Sequence, residues 1–501
     1  MKKFSFIRKF ARSAGGFLAL SVLSSQCFAQ SASVSADERR AENKRYIENL
    51  YYIFEYLQQN YVDDLDSEKI YHGAIKGIME SAGDPYTTYL DSNSFRSLSD
   101  TTEGKFGGVG LSISKAFEST PDKPAYVEVV SPIDDTPGAR AGIQAGDLII
   151  SVDGTDTSSI SMEEVLDRLR GQVGENVALV IRHGSVDREV MLTRAEIEVP
   201  TVKFGTVDTQ KNNKIGYMKI INFTPLTAER VQDALDSFDY SAIKGIVIDL
   251  RNNPGGLISS VREVADKFID NGPIVSTKSR VNHENSVYEA SSKKTTFQKG
   301  TPIVVLINKG SASASEILSG ALKDNHLAYL VGQRSYGKGS VQQVFPLSQT
   351  DGFKYTVARY YTPSDVCIDK IGIPPDREVL FPELSEEGEK QYVELFKSDE
   401  IEKYVKKNEN MTEKDIASFA KSLRKKYDEI DLATLRKLVR NEVQRKLSPA
   451  PLVDLDYDIQ LNEAIKILEK ENFTKLVTAA KTLKELQDLA LLEEKDVIGK
   501  K

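Results

Sequence analysis

The sequence predicts an α/β protein of several domains. A layered α/β core spans about 196–383, a small strand-rich module is inserted ahead of it at 103–195, and helical regions flank both at 37–102 and 384–501. Three observations lead there. IGYMKII, GIVIDL, TPIVVLI and AYLVG are short, almost wholly apolar runs, the pattern of strands covered on both faces. Helical segments at 226–238, 256–269 and 313–324 lie between them, which is the alternation of a layered α/β sheet. From 103 to 195 the texture changes to short strands and glycine turns, enough for a compact module of its own.

The chain opens on the basic stretch MKKFSFIRKFAR, an apolar run GGFLALSVLSS and CFA before Gln30, which predicts a signal peptide over 1–29 cleaved near Ala29. The run is too short to span a bilayer as a permanent helix, so the expectation is an exported, periplasmic protein. Lipidation at Cys27, in the poor context of Ser24, Ser25 and Gln26, would make it membrane-proximal at most. The mature chain then keeps only Cys367, and no internal disulfide is expected. Over 37–80, Tyr46, Leu50, Ile53, Phe54 and Leu57 share one helical face, and Ile70, Ala74, Ile75 and Ile78 repeat the pattern. That face either packs on the body of the protein or pairs with another subunit, so a homo-oligomer through the terminal helices stays open.

In the module, KFGGVGLSI and AYVEVV are strand candidates and PGARAGI starts a short helix. DLIISVDG reads as a strand ending in an Asp-Gly turn, SMEEVLDRLRG as an amphipathic helix, and VALVIRHG with REVMLTR as a hairpin. Beyond 384 the chain is charged and helical. Thr412 and Asp415 form a capping-box signature, and Ile416, Phe419, Leu423, Tyr427 and Ile430 carry an apolar stripe. No catalytic constellation stands there, which suits a packing or assembly region. The formal charge of −8 argues against nucleic acid as a partner.

The chemistry concentrates in GSASASEILSGALKDNHLAYLVGQRSYGKGSVQQ, residues 310–343. Ser313 and Glu316 match the S-x-x-E capping box, so Ser313 reads first as a structural cap. A serine at a helix start is also where backbone N–H groups stabilise developing negative charge. Of the four histidines, His72, His183 and His283 lie in other regions. His326 follows the helix that Ser313 begins, about 18 Å along it, which disfavours a serine–histidine pair. Lys338, fenced by glycines, is the stronger base if burial holds it neutral, though a solvated surface lysine is the plain alternative. Along an extended 338–344, Gln342 projects to the same side as Lys338, and a neutral amide would orient the amine without holding it protonated. In VIDLRNNPGGL, Gly255 and Gly256 leave N–H groups unobstructed that could face the N–H of Ala314 across an oxyanion. A plain strand-to-helix turn or a phosphate nest competes with that reading. The spacing fits no nucleotide motif, and neither cofactor nor metal is expected. Ser335-Tyr-Gly-Lys338 is also an S-x-x-K, but its usual companions S-D-N and K-T-G are absent.

SASASEI, ALKD and SYGKGSVQQ, in that order and spacing, resemble the active-site block of the carboxy-terminal processing peptidases, which include the tail-specific proteases. The resemblance extends to DLRNNPGG, to IGIPPD and to NYVD…GAIKGIMESAGDPYTTYLD, over roughly 45–380. It implies Ser313 as nucleophile, Lys338 as base and Gln342 as the orienter of the lysine, with Ser311 and Ser315 lining the site. Asp324 also matches, but it lies three helical turns beyond Ser313 and reads as structural. The small module resembles a PDZ domain through FGGVGLSI and PGARAGIQAGDLIISVDG. That likeness implies that Gly108, Val109, Gly110 and Leu111 take the carboxylate of a protein tail. The expectation is a secreted serine endopeptidase that captures substrate C-termini and cleaves upstream. A catalytically silent scaffold that binds protein tails through the same module is the alternative.

Overall fold

The computed structural model describes residues 36–115, 124–133, 135–198, 200–281, 285–382, 384–408, 410–445 and 452–498. The leader expected over 1–29 and His283 lie outside them. The chain divides into two units, residues 1–78 and 79–501. In the first, helix Ala36–Asn60 is followed by helix Ser67–Glu80. Tyr46, Leu50, Ile53 and Leu57, the apolar face read from the sequence, are all exposed. Among the described residues, no helix is long and apolar enough to cross a membrane.

The second unit is built on a six-stranded sheet in the order Val202–Asp208, Lys214–Ile220, Ile243–Asp249, Ile303–Ile307, Ala328–Gly332, Arg377–Glu378. The first pair is antiparallel and the rest parallel. Parallel strands need crossover connections, and helices Thr227–Ser237, Ile258–Asp266 and Ala314–Asp324 supply them. These helices cover one face, where Met218, Ile220, Ile246, Ile248, Val305 and Ile307 join their apolar stripes in one core. Val304, Leu306, Tyr329 and Val331 point the other way and are covered by Leu461, Ala464, Ile465 and Leu468 of helix Ile459–Lys470. Burial on both faces explains why these strands read as unbroken apolar runs.

That second covering corrects the boundary drawn at 384. The helices Glu386–Lys397, Glu400–Lys407, Glu413–Arg424 and Leu432–Arg445 do share a core of their own, around Leu395, Ile416, Phe419, Leu423, Tyr427 and Leu435. The segment from Asp458 onward instead belongs to the α/β core. Arg251 bridges Asp249 and Asp458, each at 2.6 Å, and Leu483 N–H donates to Asp324. Burial opposes the Asp458 charge, but the Arg251 hydrogen bond and charge outweigh it and hold the carboxyl below its ordinary range. Asp324 also accepts from Ser364 N and Oγ, so it pins loops together, as a structural residue would.

A second, antiparallel sheet runs Thr88–Leu90, Gly352–Tyr361, Asn271–Lys278, Ser286–Ser291, with Ser340–Pro346 also paired to Gly352–Tyr361. Residues 88–90, grouped by sequence with the N-terminal helices, supply the first of these strands. Thr88 pairs with Lys354 and Leu90 with Gly352.

The module has its own sheet, Leu111–Lys115, Val127–Pro132, Leu148–Val152, Asn176–His183, Val186–Thr193, around Val127, Ile149, Val165, Leu179 and Ile181. KFGGVGLSI is two strands rather than one. Lys105–Gly108 pairs with Ala195–Glu198 in a separate two-stranded ribbon, and Gly110, at φ +73°, turns the chain into Leu111–Lys115. The module thus enters and leaves through one ribbon. Arg230 of the core holds that ribbon through paired hydrogen bonds to Glu198 at 2.8 and 3.0 Å.

Candidate active site

Ser313 stands at the N-terminus of helix Ala314–Asp324 with φ 54° and ψ −115°. A non-glycine residue there costs on the order of 1–3 kcal/mol and persists only where its surroundings over-determine it. Here they do. Ser311 Oγ donates to Leu250 O at 2.9 Å, Ser315 Oγ donates to Asn253 O at 3.0 Å, and Ala312 N–H donates to the same carbonyl at 3.0 Å. Both flanking serines are fully buried, so they staple the turn to the 250–256 loop rather than line the site, contrary to the expectation. Gly255 completes the fit. A Cβ on it would lie 2.7 Å from Ser313 Cβ and 2.9 Å from Ala314 N.

The same loop decides which N–H groups are free. Gly255 N–H donates to Asn253 Oδ1 at 2.9 Å, so this residue contributes close approach and not a donor. Among the described residues, the N–H groups of Gly256 and Ala314 have no protein acceptor. Both belong to the backbone around Ser313.

Lys338 sits in the turn before strand Ser340–Pro346. Burial lowers its pKa and the charge of Lys354 adds to that, against the opposing pull of Asp84 and Glu316. Ser313, Lys338 and Gln342 line one cleft of about 470 Å³ with Leu98, Phe223, Gly256, Leu257, Val341 and Lys354. Both residues of the sequence-predicted pair therefore line one cleft. Among the described residues, no hydrogen bond joins Lys338 Nζ to Ser313 Oγ or to Gln342. The Gln342 amide donates instead to Ser340 Oγ at 2.9 Å and Thr356 Oγ1 at 3.2 Å.

Glu316 is the residue whose importance the sequence understated. Its Oε2 accepts from Ser313 N and Lys338 N, both at 2.9 Å, and its Oε1 accepts from Gly337 N at 2.7 Å and Ser335 Oγ at 2.5 Å. Tyr360 OH adds a longer contact at 3.5 Å. Burial pushes this carboxyl up, and the donated hydrogen bonds only partly offset the rise. Since every partner donates, an acceptor-only carboxylate is the form that satisfies them. One buried side chain thus holds the backbone of Ser313 and that of Lys338. The capping box was the visible signal; its partners at 335–338 and 360 were not. Ser335 also accepts from Ile373 N at 2.6 Å, so its hydroxyl is committed and the S-x-x-K reading loses its nucleophile.

His326 Nδ1 faces Val477 O at 2.9 Å, away from this cleft. In the module, Val109 is buried and its carbonyl accepts from Gly138 N–H at 2.8 Å, so only its backbone could face a ligand. Gly110 O accepts from Ile133 N at 2.9 Å and Thr136 Oγ1 at 3.1 Å, which fixes the loop. Gly108 pairs with Ala195 in the ribbon, and Leu111 packs over Gly138.

Residues 214–379 match the model of peptidase family S41, residues 128–183 that of a PDZ domain, and residues 10–94 the N-terminal domain of the activating protease CtpB. A carboxy-terminal-processing protease of Bartonella bacilliformis is 37% identical over 79% of this chain and 89% of its own length. The carboxy-terminal processing protease CtpB of Bacillus subtilis is 30% identical over 91% of this chain and 92% of its own. A solved photosystem II D1 C-terminal processing protease, 30% identical, covers 66% of this chain and 92% of its own with a TM-score of 0.39.

Proposed function

The chain belongs to the carboxy-terminal processing proteases of peptidase family S41, and on that footing we propose that it is an exported serine endopeptidase working through Ser313 and Lys338. The observation that carries this reading is the shared tether. Glu316 binds the backbone of both residues while their side chains line one cleft. Neutral Lys338 accepts the Ser313 Oγ proton as the oxygen attacks the scissile carbonyl. The N–H groups of Gly256 and Ala314 face the developing oxyanion. The lysine ammonium then protonates the departing amine. Water, deprotonated by the same lysine, attacks the acyl carbonyl, and the lysine returns that proton to Ser313 Oγ as the C–O bond breaks and the acid is released. A silent scaffold would have no use for a strained serine beside a half-buried lysine. The test is a serine-reactive fluorophosphonate followed by peptide mass spectrometry. An adduct on Ser313, absent after Ser313→Ala, is expected; an adduct on Ser335 would transfer the role and sink this assignment.

Tail recognition belongs to the same proposal. Among the described residues, strand Leu111–Lys115 pairs with Val127–Pro132 alone, so its outer edge is open to an added peptide strand. A tail laid there would end at the turn of Val109 and Gly110. Peptides with a free C-terminal carboxylate should be cleaved better than their amides, by about 1–3 kcal/mol in kcat/KM, the scale of a charge-assisted hydrogen bond. Equal kcat/KM for acid and amide would overturn it. Because Val109 is a core side chain, the charge must be varied on the peptide and not at that position.

A further inference from the structure

Lys338 is met by a segment of the GDPYTTYLD stretch to which the sequence assigned no role. Its Nζ lies 5.0 Å from the centre of the Tyr86 ring, within the range of a cation–π contact. Tyr86 belongs to Gly83-Asp84-Pro85-Tyr86-Thr87, whose conformation is set by Asp84. Asp84 Oδ1 accepts from Tyr86 N at 3.1 Å, and Oδ2 accepts from Thr87 Oγ1 at 2.7 Å and from Thr356 Oγ1. Thr356 Oγ1 is in turn the acceptor for the Gln342 amide, so Gln342 is tied to Asp84 through one hydroxyl. The following strand, Thr88–Leu90, is clamped to Gly352–Lys354 of the sheet that carries the base.

We infer that Tyr86 and Asp84 are positioning residues for the catalytic base, forming a cradle that holds the Lys338 amine and stabilises its ammonium form during turnover. The inference rests on the serine–lysine reading above. In that mechanism the amine gains one proton from Ser313 Oγ and later gives it to the leaving amine. The ammonium exists between those steps and again while the lysine holds the proton of the attacking water, and a π face and a carboxylate favour it there without taking the proton themselves. The charged and titratable groups around the amine are Asp84 and Tyr86 from this segment, Glu316 from the nucleophile helix and Lys354 from the neighbouring strand. Tyr86 in turn faces Tyr336 and Asp369, and burial with these neighbours pushes its phenol up to about 12, so the ring stays neutral. Glu316 accepts four close hydrogen bonds of its own, and Lys354 is a repelling charge. Beside the carboxylate of Glu316, Asp84 and Tyr86 are the attractive groups that the 83–87 segment brings to the lysine.

The experiment uses the full chain and two readouts. With a peptide substrate, Asp84→Asn and Tyr86→Leu should each lower kcat by about tenfold with KM nearly unchanged, the scale of a desolvated cation–π or ion contact. Each should also move the acid limb of the pH profile to lower pH, because the ammonium has lost a stabilising partner. Tyr86→Phe, which keeps the π face, should restore most of the kcat lost in Tyr86→Leu. A structural defect would lower activity without moving that limb. The second readout needs no catalysis. In a Ser313→Ala background, the pH dependence of Lys338 acetylation by acetic anhydride, read by peptide mass spectrometry, should shift down in both variants. If the Lys338 labelling midpoint is unchanged in both, the cradle is wrong. If Lys338→Met still cleaves, the serine–lysine reading fails instead, whatever the labelling shows.

Discussion

Ser313→Ala and Lys338→Ala should each lower kcat by about 10⁴–10⁶-fold, the loss seen when one member of a nucleophile–base unit is removed. The double variant should be scarcely worse than either single one, because the two act as a unit. Neither change removes a large buried apolar group, so the melting temperature should stay close to wild type. Lys338→Arg should be as inactive as Lys338→Ala, since a guanidinium keeps its charge. The sign of the pH dependence follows from the same requirement. Burial and Lys354 lower the Lys338 pKa from its ordinary 10.5, and only the neutral amine accepts a proton. Activity should therefore rise with pH along a single ionisation below that of free lysine. Lys338→Arg with substantial activity, and His326→Ala without it, would move the base to histidine and refute the assignment.

Glu316 should give the second largest effect, and on two measurements at once. Glu316→Ala strands four close donors, the buried Gly337 N and Ser335 Oγ and the part-buried Ser313 N and Lys338 N. Each unsatisfied group costs about 1–3 kcal/mol, with partial relief by relaxation, so a total loss of about 3–5 kcal/mol in stability is expected. Glu316→Gln is more telling. The amide keeps the volume but turns one acceptor oxygen into a donor that faces donors. Either the Ser313 backbone or the Lys338 turn must then shift, and a displacement of about 1 Å costs roughly a hundredfold in rate. Urea unfolding and kcat measured on the two variants check both parts. Wild-type kcat in Glu316→Gln would show that the carboxylate does not hold the pair in register.

What the sequence revealed and what it hid divide along a physical line. Ser313 and Lys338 could be singled out in the sequence because chemistry limits the choices: few histidines, a serine at a helix start, a lysine between glycines. The buried strands were legible because burial on both faces leaves continuous apolar runs. Ser311 and Ser315 were misread as site-lining residues, since alternate small polar residues look alike until their partners, the carbonyls of Leu250 and Asn253, are known. The Tyr86 contact with Lys338 joins positions some 250 residues apart, and no local periodicity encodes it. The helix Ile459–Lys470 has the amphipathic pattern of its neighbours in 386–445, and nothing local says that its apolar face belongs to the distant sheet.

That last helix has a bearing on when the protein can first act. The chain is made from its N-terminus, so Ser313 and Lys338 are synthesised well before Asp458. Until Asp458 arrives, Arg251 has lost one of its two carboxylates, and it begins the Arg251-Asn252-Asn253-Pro254-Gly255-Gly256 turn against which the nucleophile is strained. Over the same interval Val304, Leu306 and Val331 lack their covering layer. A partly synthesised chain therefore holds both Ser313 and Lys338 while part of the support for the 251–256 turn is missing. On the serine–lysine proposal, a chain cut before Asp458 should lack peptidase activity, which an assay of that truncation against the full chain would check.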